Sequence, residues 1–255
     1  MNFMQLKFLK QYKNKIVLVT GVSGQIGKYI SRFFLNLGCT VYGIDLKKIK
    51  INSNKFIFKQ LDISDEIKTK NFITKIYKKH KKIDIIINNA AVSFKTNFKY
   101  RTYDELIKTI DVNLLSSINI IKNIAQNHNK KLICKIINIG SIYGVRSPDF
   151  KIYDDRNNMN SEIYGASKAG IIQITKYFAV LLAKKNIIIN CISPGGLENK
   201  NIQKKKFINN YSKKVPLGRM CREKDLEMAL LYFSSAETYY TTGQNFIIDG
   251  GLSLC

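Results

Sequence analysis

The sequence predicts an α/β protein in which a parallel sheet of about seven strands is doubly wound, with helices on both faces. Seven short runs rich in β-branched residues are spread over the 255 residues. Most of these runs are apolar along their whole length, which is typical of strands that are covered on both faces. Segments with helical spacing of apolar residues alternate with them. Strand–helix alternation along a whole chain indicates a parallel sheet of this kind.

The predicted strands share β-branched residues and end in Gly, Asn or Asp. They cover residues 15–21, 40–45, 55–62, 83–90, 134–141, 186–195 and 245–251. The predicted helices repeat apolar residues three or four positions apart. They cover residues 25–37, 65–79, 103–126, 164–184 and 223–234. Ligands of such sheets bind beyond the carboxyl ends of the strands, so motifs at those ends are candidates for function.

Length and composition predict one domain over residues 15–255, preceded by an N-terminal extension over residues 1–14 that is loosely held up to Tyr12. The chain is 45% hydrophobic, which is ample for one core. It has no apolar run of about 18 residues and no apolar signal segment, so neither a membrane span nor secretion is expected. Its five scattered cysteines form no C-x-x-C pair, which favours the reducing cytoplasm and argues against a metal site.

The chain is strongly basic, with a formal net charge of +24. The positive charge comes mainly from Lys spread along the whole sequence, whereas nucleic-acid binders more often cluster basic residues and interleave aromatic ones. We therefore expect no nucleic-acid partner and no membrane partner. A field that attracts anionic substrates is an alternative consequence of the charge.

A glycine-rich turn, VTGVSGQIG (residues 19–27), follows the first predicted strand and opens the first predicted helix. Glycine allows positive φ and lets a diphosphate approach the backbone, while the helix N-terminus offers N–H donors. This context predicts dinucleotide binding. The expected contacts in the turn are Gly21, Ser23, Gly24, Gln25, Ile26 and Gly27.

The ends of the next strands extend this predicted site. Asp45 ends the second strand, about 20 residues after the turn, where a carboxylate can accept hydrogen bonds from the adenosine ribose and repel a 2′-phosphate. This favours NAD over NADP, although Lys47 and Lys48 follow at once and can weaken the preference. The adenine and the flank of the cofactor are expected to meet the ends of the third and fourth strands at Asp62, Ile63, Asn89 and Ala90.

Four further residues predict proton transfer beside this cofactor. Tyr164 and Lys168 are four positions apart at the start of a predicted helix, so they share a face. A cation roughly 4 Å from a phenol contributes on the order of a few kcal/mol, so we expect Lys168 to lower the pKa of Tyr164 from about 10. Ser141, at the end of the fifth strand, can hydrogen-bond a carbonyl or hydroxyl oxygen. Asn113 can hold a water or brace the helix that orients Lys168.

Together these motifs resemble the short-chain dehydrogenase/reductase family over residues 15–255. Besides the residues above, the resemblance rests on NNAA (88–91), YGASK (164–168), SPGG (193–196), PLGRM (216–220) and TGQNFIIDGG (242–251). It implies a Rossmann-type fold, a nicotinamide cofactor and hydride transfer. It also implies a homodimer or homotetramer, assembled through the two long helices predicted at about 103–126 and 164–184.

The same resemblance assigns roles to individual residues. Asn113, Ser141, Tyr164 and Lys168 would form the catalytic tetrad. Tyr164 would be the acid–base and Ser141 would hold the substrate oxygen. Tyr164 and Lys168 would also contact the cofactor, the lysine at the nicotinamide ribose. Pro194 and Gly195 would border the nicotinamide.

The sequence departs from the family pattern at two places. The compact branch has a glycine where this chain has Gln25, and the resulting TGxxGxxG resembles the nucleotide-sugar-modifying branch. The chain nevertheless ends in the TGQ…DGG of the compact branch, so the turn alone does not indicate epimerase activity. The SPGG motif is followed by Leu-Glu-Asn rather than by the usual Thr, which weakens any assignment of the carboxamide contact.

Ser141 and Tyr164 are 23 positions apart, roughly twice the spacing of many compact members. The extra residues form either a solvated surface loop or a polar rim of the substrate site. An arginine in such a rim can pair with a phosphate or carboxylate, and aromatic rings can stack on a sugar. The expected substrate contacts are Tyr143, Arg146, Tyr153 and Arg156.

Three functions are considered. The SIYGV…SPDFKIY…NMNSEIYGASK run resembles a bacterial subgroup of flagellin-modification and legionaminic-acid-pathway oxidoreductases. This implies a small polar substrate: a sugar, sugar phosphate or nucleotide sugar of surface-glycan biosynthesis. The first alternative is a 3-oxoacyl-carrier-protein ketoreductase, whose acidic carrier would dock on the Lys-rich surface. The second alternative is a non-enzymatic NAD-binding scaffold.

Overall fold

Seven parallel strands form one sheet in the order β3-β2-β1-β4-β5-β6-β7. The computed structural model describes residues 9–153 and 159–255. In chain order the strands are β1 (Ile16–Thr20), β2 (Thr40–Asp45), β3 (Phe56–Gln60), β4 (Ile85–Asn88), β5 (Cys134–Ile139), β6 (Ile187–Pro194) and β7 (Asn245–Ile248). The predicted fold class is confirmed.

Helices connect consecutive strands, except β2 and β3, and cover both faces of the sheet. They are α1 (Gln25–Asn36), α2 (Glu66–His80), α3 (Tyr103–Ile110), α4 (Ser116–Asn127), α5 (Glu162–Leu182), α6 (Lys205–Lys214) and α7 (Glu227–Ser234). Within the described residues, none of these helices has both the length and the hydropathy needed to span a membrane.

Successive strand residues point to opposite faces of the sheet and so build two cores. Leu18 of β1 belongs to a core that α2, α4 and α5 complete. Its neighbours Val17 and Val19 belong to a second core, formed with α1 and α7. Because the cores enclose both faces, the strands are held rigidly and their carboxyl ends form a fixed platform.

The order of the strands reverses between β1 and β4, which creates the crevice where doubly wound sheets bind ligands. The two strand ends are joined there by Asn89, whose Nδ2 donates to the Thr20 main-chain oxygen at 2.8 Å. Thr20 Oγ1 accepts in turn from the main-chain N–H groups of Asn89 and Ala90, both at 3.0 Å. These bonds hold the first and fourth strand ends at a constant separation.

Two predicted helices differ from the structure, and one helix of the structure was not predicted. The helix expected over 103–126 is interrupted by a π-helical segment, Asp111–Leu115. The helix expected over 223–234 begins with a 3-10 segment, Glu223–Leu226. Helix α6 was not predicted, because only three of its ten residues are apolar and only Tyr211 is buried.

The N-terminal residues that the structure describes are packed on the fold. Tyr12 is fully buried, and its hydroxyl donates to the Leu231 main-chain oxygen at 2.8 Å. Gln11 Oε1 accepts from Ser235 Oγ at 3.1 Å and from the Ala236 N–H at 3.0 Å. The expectation of a loosely held segment is therefore wrong for these residues, which fasten the chain to the end of α7.

Candidate active site

A cavity of about 570 Å³ lies at the carboxyl ends of β1, β2 and β4. It gathers most of the predicted cofactor contacts into one place. The predicted residues that line it are Gly21, Ser23, Gly24, Gln25, Ile26, Gly27, Asp45, Asp62, Ile63, Asn89 and Ala90. The other four predicted cofactor contacts do not line this cavity. They are Tyr164, Lys168, Pro194 and Gly195.

The three glycines of the turn differ in whether the fold itself requires glycine at their position. Gly21 has φ +71°, and a Cβ there would meet the Ala90 Cα at 2.7 Å. A Cβ on Gly27 would lie 2.1 Å from the Gly21 main-chain oxygen. At Gly24, by contrast, φ is −71° and a Cβ would meet only the Gly21 oxygen at 3.4 Å, an ordinary contact. The fold itself does not require glycine at position 24, and the open space there fits the close approach of a ligand diphosphate.

Asp45 is held rigidly at the end of β2. Its Oδ2 accepts from the Ser23 N–H and its Oδ1 from the Lys47 N–H, both at 2.9 Å. Both carboxylate oxygens keep further lone pairs for a ligand. A fixed negative charge at this point suits ribose hydroxyls and opposes a phosphate.

Lys108 of α3 was not identified from the sequence, although it lines the same cavity. Its Nζ lies 3.1 Å from Asp62 Oδ2 and 3.0 Å from Ser64 Oγ. Burial alone would raise the pKa of Asp62, but hydrogen bonds from Ser64 and Lys108 hold it below its usual value. Lys108 is separated by 46 residues from Asp62, and no local motif marks it.

Ser141, Tyr164 and Lys168 come together beyond the end of β5. The Ser161 side chain caps α5 by accepting from the Tyr164 N–H at 3.2 Å, which places Tyr164 in the first turn. The Ser141 side chain lies near the Tyr164 hydroxyl and lowers the pKa of that phenol. Lys168 Nζ lies 5.7 Å from the centre of the Tyr164 ring and donates to the Ile139 main-chain oxygen at 2.7 Å.

The pKa of Tyr164 differs from the prediction. Burial raises this pKa above its ordinary value, the hydrogen bond with Ser141 lowers it in part, and the nearby Tyr153 raises it further. Burial also lowers the pKa of Lys168 to about 8. The predicted lowering of the Tyr164 pKa by Lys168 is therefore wrong for this structure, because the lysine is itself desolvated and engaged by Ile139.

Asn113 lies in the π-helical segment, where the wider turn projects it into the protein. Its Oδ1 accepts from the Val92 N–H at 2.8 Å. Its Nδ2 donates to the Val92 main-chain oxygen and to Ser167 Oγ, both at 3.0 Å. Val92 lines the cofactor cavity and Ser167 precedes Lys168, so Asn113 connects the cavity to the catalytic helix. These contacts match the bracing role among the two roles expected for it.

The segment after Ser141 contributes aromatic side chains to the site. The Tyr143 and Tyr153 hydroxyls are hydrogen-bonded at 2.8 Å. The Tyr153 ring lies 5.3 Å from that of Phe207, which lies 6.0 Å from Tyr211. Since Tyr153 also raises the pKa of Tyr164, this cluster borders the Tyr164 phenol.

Arg146, a predicted substrate contact, is hydrogen-bonded within the protein. Its Nη1 donates to the main-chain oxygens of Leu252 and Cys255, the latter at 2.8 Å. It thus fastens the 143–153 segment to the C-terminal residues. Arg146 and Tyr143 also line a second cavity of about 720 Å³. The predicted contact Arg156 lies outside the described residues.

The SPGG motif is built by close packing. Gly195 donates its N–H to the Ile248 oxygen at 2.8 Å, and Gly196 donates to the Tyr211 hydroxyl at 2.6 Å. A Cβ on Gly196 would meet the Tyr211 ring at 2.6 Å. Helix α6 therefore rests directly on the motif that ends β6.

In the ranges 9–153 and 159–255 no group of three or more His, Cys, Asp or Glu side chains is placed to hold a metal ion. All five cysteines are free, and four of them are buried.

Comparison with known proteins gives consistent matches along nearly the whole chain. The family described as Enoyl-(Acyl carrier protein) reductase matches residues 21–253. The 3-oxoacyl-(acyl-carrier-protein) reductase FabG of Thermotoga maritima is 30% identical over 251 residues, which cover 94% of this chain and 98% of that protein. The 7alpha-hydroxysteroid dehydrogenase of Bacteroides fragilis is 27% identical over 264 residues, covering 96% of this chain and 97% of that protein.

Among solved structures, a short chain dehydrogenase from Leptospira borgpetersenii with bound NAD+ superimposes with a TM-score of 0.88. It is 37% identical in sequence, and the match covers 94% of this chain and 93% of that chain.

Proposed function

The chain belongs to the short-chain dehydrogenase/reductase family and is an NAD(P)-dependent oxidoreductase; on this premise we propose that it transfers a hydride between NAD and a carbonyl or hydroxyl carbon of a small polar substrate. The observation that carries the proposal is the arrangement at one edge of the sheet. A dinucleotide-sized cavity with an open glycine turn adjoins the Ser141–Tyr164–Lys168 group through Asn113.

When bound, NAD would supply the nicotinamide ring that accepts or returns the hydride. The side chains of this protein handle the proton and the substrate oxygen. Ser141 Oγ holds that oxygen, and the Tyr164 hydroxyl exchanges a proton with it as the C–O bond order changes. Burial lowers the pKa of Lys168 to about 8, and its ammonium group lies beside the phenol. In its charged form it would stabilise the phenolate and donate a hydrogen bond to the cofactor ribose.

NAD is the cofactor that fits this cavity. The Asp45 carboxylate is fixed by two main-chain N–H donors, so it cannot turn away from a 2′-phosphate. The Leptospira protein, 37% identical, was solved with NAD+ bound. We assign the glycine turn to the diphosphate, Asp45 to the adenosine ribose, and Asp62 with Lys108 to the adenine end.

The substrate we propose is a sugar, sugar phosphate or nucleotide sugar, as in bacterial surface-glycan or flagellin-modification biosynthesis. Support comes from the hydrogen-bonded phenols of Tyr143 and Tyr153 near Tyr164, because hydroxyl-bearing rings suit a polyhydroxylated ligand better than an acyl chain. Burial raises the pKa of Tyr143, so this phenol stays a neutral hydrogen-bonding group at every physiological pH.

A second candidate is 3-oxoacyl-carrier-protein reduction. It is favoured by the 30% identity to the Thermotoga FabG over 94% of this chain and by the Lys-rich surface. An NAD-binding scaffold without catalysis is the third candidate. It requires that Tyr164 and Ser141 serve no chemistry.

The experiment that tests the proposal compares substrates and cofactors in every combination. NADH formation or consumption is followed with sugars, sugar phosphates, nucleotide sugars and a 3-oxoacyl thioester, each with NAD and NADP. Turnover of a sugar-type compound with NAD supports the leading proposal. Turnover of the acyl thioester alone, with NADP, would replace it by the second candidate, and binding of NAD without any turnover would favour the scaffold.

We also propose that the protein is a homodimer or homotetramer in the cytoplasm, where its five free cysteines stay reduced. Helix α5 exposes an apolar stripe of Tyr177, Val180 and Leu181, and Val180 is 82% exposed. Val180→Glu should shift the mass measured by light scattering toward the monomer. Ile67→Glu, at an exposed isoleucine of α2, is the matched control and should leave the mass unchanged.

A further inference from the structure

Gln25, the first residue of α1, connects the glycine turn to two distant segments. Its Nε2 donates to the Glu198 main-chain oxygen and to Glu223 Oε1, both at 2.8 Å. Its Oε1 accepts from Asn199 Nδ2 at 2.9 Å. Both N–H groups and the carbonyl of the amide are therefore used, and all partners lie more than 170 positions away. Glycine at this position would make none of these bonds.

The segment that Gln25 holds, residues 197–203, is a compact turn. Gln203 Nε2 donates to the Leu197 oxygen at 2.8 Å, and Gln203 Oε1 accepts from the Asn199 N–H at 2.7 Å. The turn is attached at its base where the Glu198 N–H donates to the Cys221 oxygen at 2.8 Å. The two Gln203 bonds are internal, so they keep the shape of the turn if it moves about its attachment to Cys221 once the contact with Gln25 is broken.

This turn forms part of the wall of the cofactor cavity. Leu197 lines the cavity together with Gly24 and Gln25 itself. The Gln25 bonds thus hold a piece of the wall against the phosphate-binding turn. Displacement of the 197–203 turn would widen the cavity at the place where the diphosphate is proposed to lie.

The local charges explain why a neutral donor suits position 25. The Glu198 carboxylate is paired with Lys200 at 3.5 Å and Arg222 at 3.4 Å. The Glu223 carboxylate accepts from the Gln25 amide. An acidic residue at position 25 would add a third carboxylate next to a diphosphate, whereas the amide satisfies Glu223 without adding charge.

We propose that Gln25 is a positioning residue: it holds the 197–203 turn closed over the dinucleotide site, and the cofactor leaves only when these hydrogen bonds break. This inference rests on the proposed function, since it requires that NAD binds in the cavity. It assigns a purpose to the residue that departs from the family's glycine pattern. The main-chain N–H groups of residues 25–27 stay in the first helical turn, where they have no helical acceptors and can serve the diphosphate.

The experiment measures the release of NADH by stopped-flow fluorescence, with excess NAD as the competitor. Gln25→Met keeps the length of the side chain and removes all three bonds. Asn199→Ala removes one of them from the other side without touching the glycine turn. Each single variant should release NADH at least tenfold faster than the wild type. The double variant should be no faster than Gln25→Met alone, because both substitutions disrupt the same contact between Gln25 and the 197–203 turn. Gln173→Met, the same substitution at an exposed position of α5, should leave the rate unchanged.

Two results would overturn the proposal. Release at the wild-type rate in both variants would show that the contact does not control the cofactor. Faster release in Gln25→Met alone would show that position 25 acts directly on the diphosphate and not through the 197–203 turn. A wild-type protein that fails to bind NADH would instead refute the proposed function, so the two failures are distinguishable. The thermal midpoint is recorded in parallel, because a purely structural role would move it without changing the release rate.

Discussion

Gly24→Ala separates the needs of the cofactor from those of the fold. The backbone at Gly24 has φ −71° and ψ 164°, which alanine adopts without strain, and the added Cβ would have its nearest neighbour at 3.4 Å. Replacing glycine at such a position stabilises a protein by about 0.4–1 kcal/mol. The thermal midpoint should therefore stay constant or rise by roughly 1–4 °C.

The same methyl group should weaken NAD binding. It occupies the open side of the turn and prevents the diphosphate from reaching the N–H groups of α1. Loss of one hydrogen bond to a charged group costs about 1.5–3 kcal/mol, which corresponds to roughly a 10- to 100-fold higher Kd. Titration by NADH fluorescence, together with thermal unfolding, measures both quantities on one sample.

Gly27→Ala is the matched control, because a Cβ there would lie 2.1 Å from the Gly21 oxygen and 2.7 Å from Asn89 Nδ2. That variant should lose stability as well as cofactor affinity. If Gly24→Ala bound NADH as tightly as the wild type, the diphosphate would not approach this turn, and the proposed cofactor geometry would be refuted.

Three further outcomes are expected. Asp45→Asn keeps one of the two acceptor oxygens and removes the negative charge, so the ratio of NAD to NADP affinity should fall at least tenfold; an unchanged ratio would mean that the carboxylate does not face the ribose. Tyr153→Phe should raise KM for the polar substrate severalfold with little change in kcat, and equal kinetic constants would remove Tyr153 from the substrate site. Burial lowers the pKa of Lys135 to about 8 from 10.5, so between these values the unfolded chain holds a proton that the folded chain has lost, and wild-type stability should rise with pH. Lys135→Met should be more stable at pH 7 and show a smaller rise in its thermal midpoint over that window; a rise as steep as in the wild type would contradict this.

The fold and the placement of most candidate site residues were predictable because their signals are local. A β-branched run that ends in glycine, aspartate or asparagine marks the carboxyl end of a strand, and parallel strands bring those ends to one edge. Gly21, Asp45 and Asn89 therefore meet in one cavity, as expected. The spacing of Tyr164 and Lys168 likewise placed both on one side of α5.

The remaining features depend on contacts between residues far apart in the sequence. Arg146 binds main-chain oxygens more than 100 positions away, contacts that its charge alone does not indicate. Tyr12 is buried because its hydroxyl reaches Leu231, which no pattern in the first residues indicates. The pKa of Tyr164 was mispredicted for a similar reason: burial is the main cause that raises it and Tyr153 raises it further, whereas the prediction considered only the neighbouring lysine.

The central claim is that Tyr164 exchanges the proton while NAD takes part in hydride transfer at the same site. Its most direct test compares wild-type protein and Tyr164→Phe with NAD and the best substrate found. Removal of the hydroxyl should lower kcat by about 10²- to 10⁴-fold, while the Kd for NADH and the thermal midpoint stay close to wild type. Turnover by Tyr164→Phe at the wild-type rate would contradict the account, because the phenol would then have no part in the chemistry.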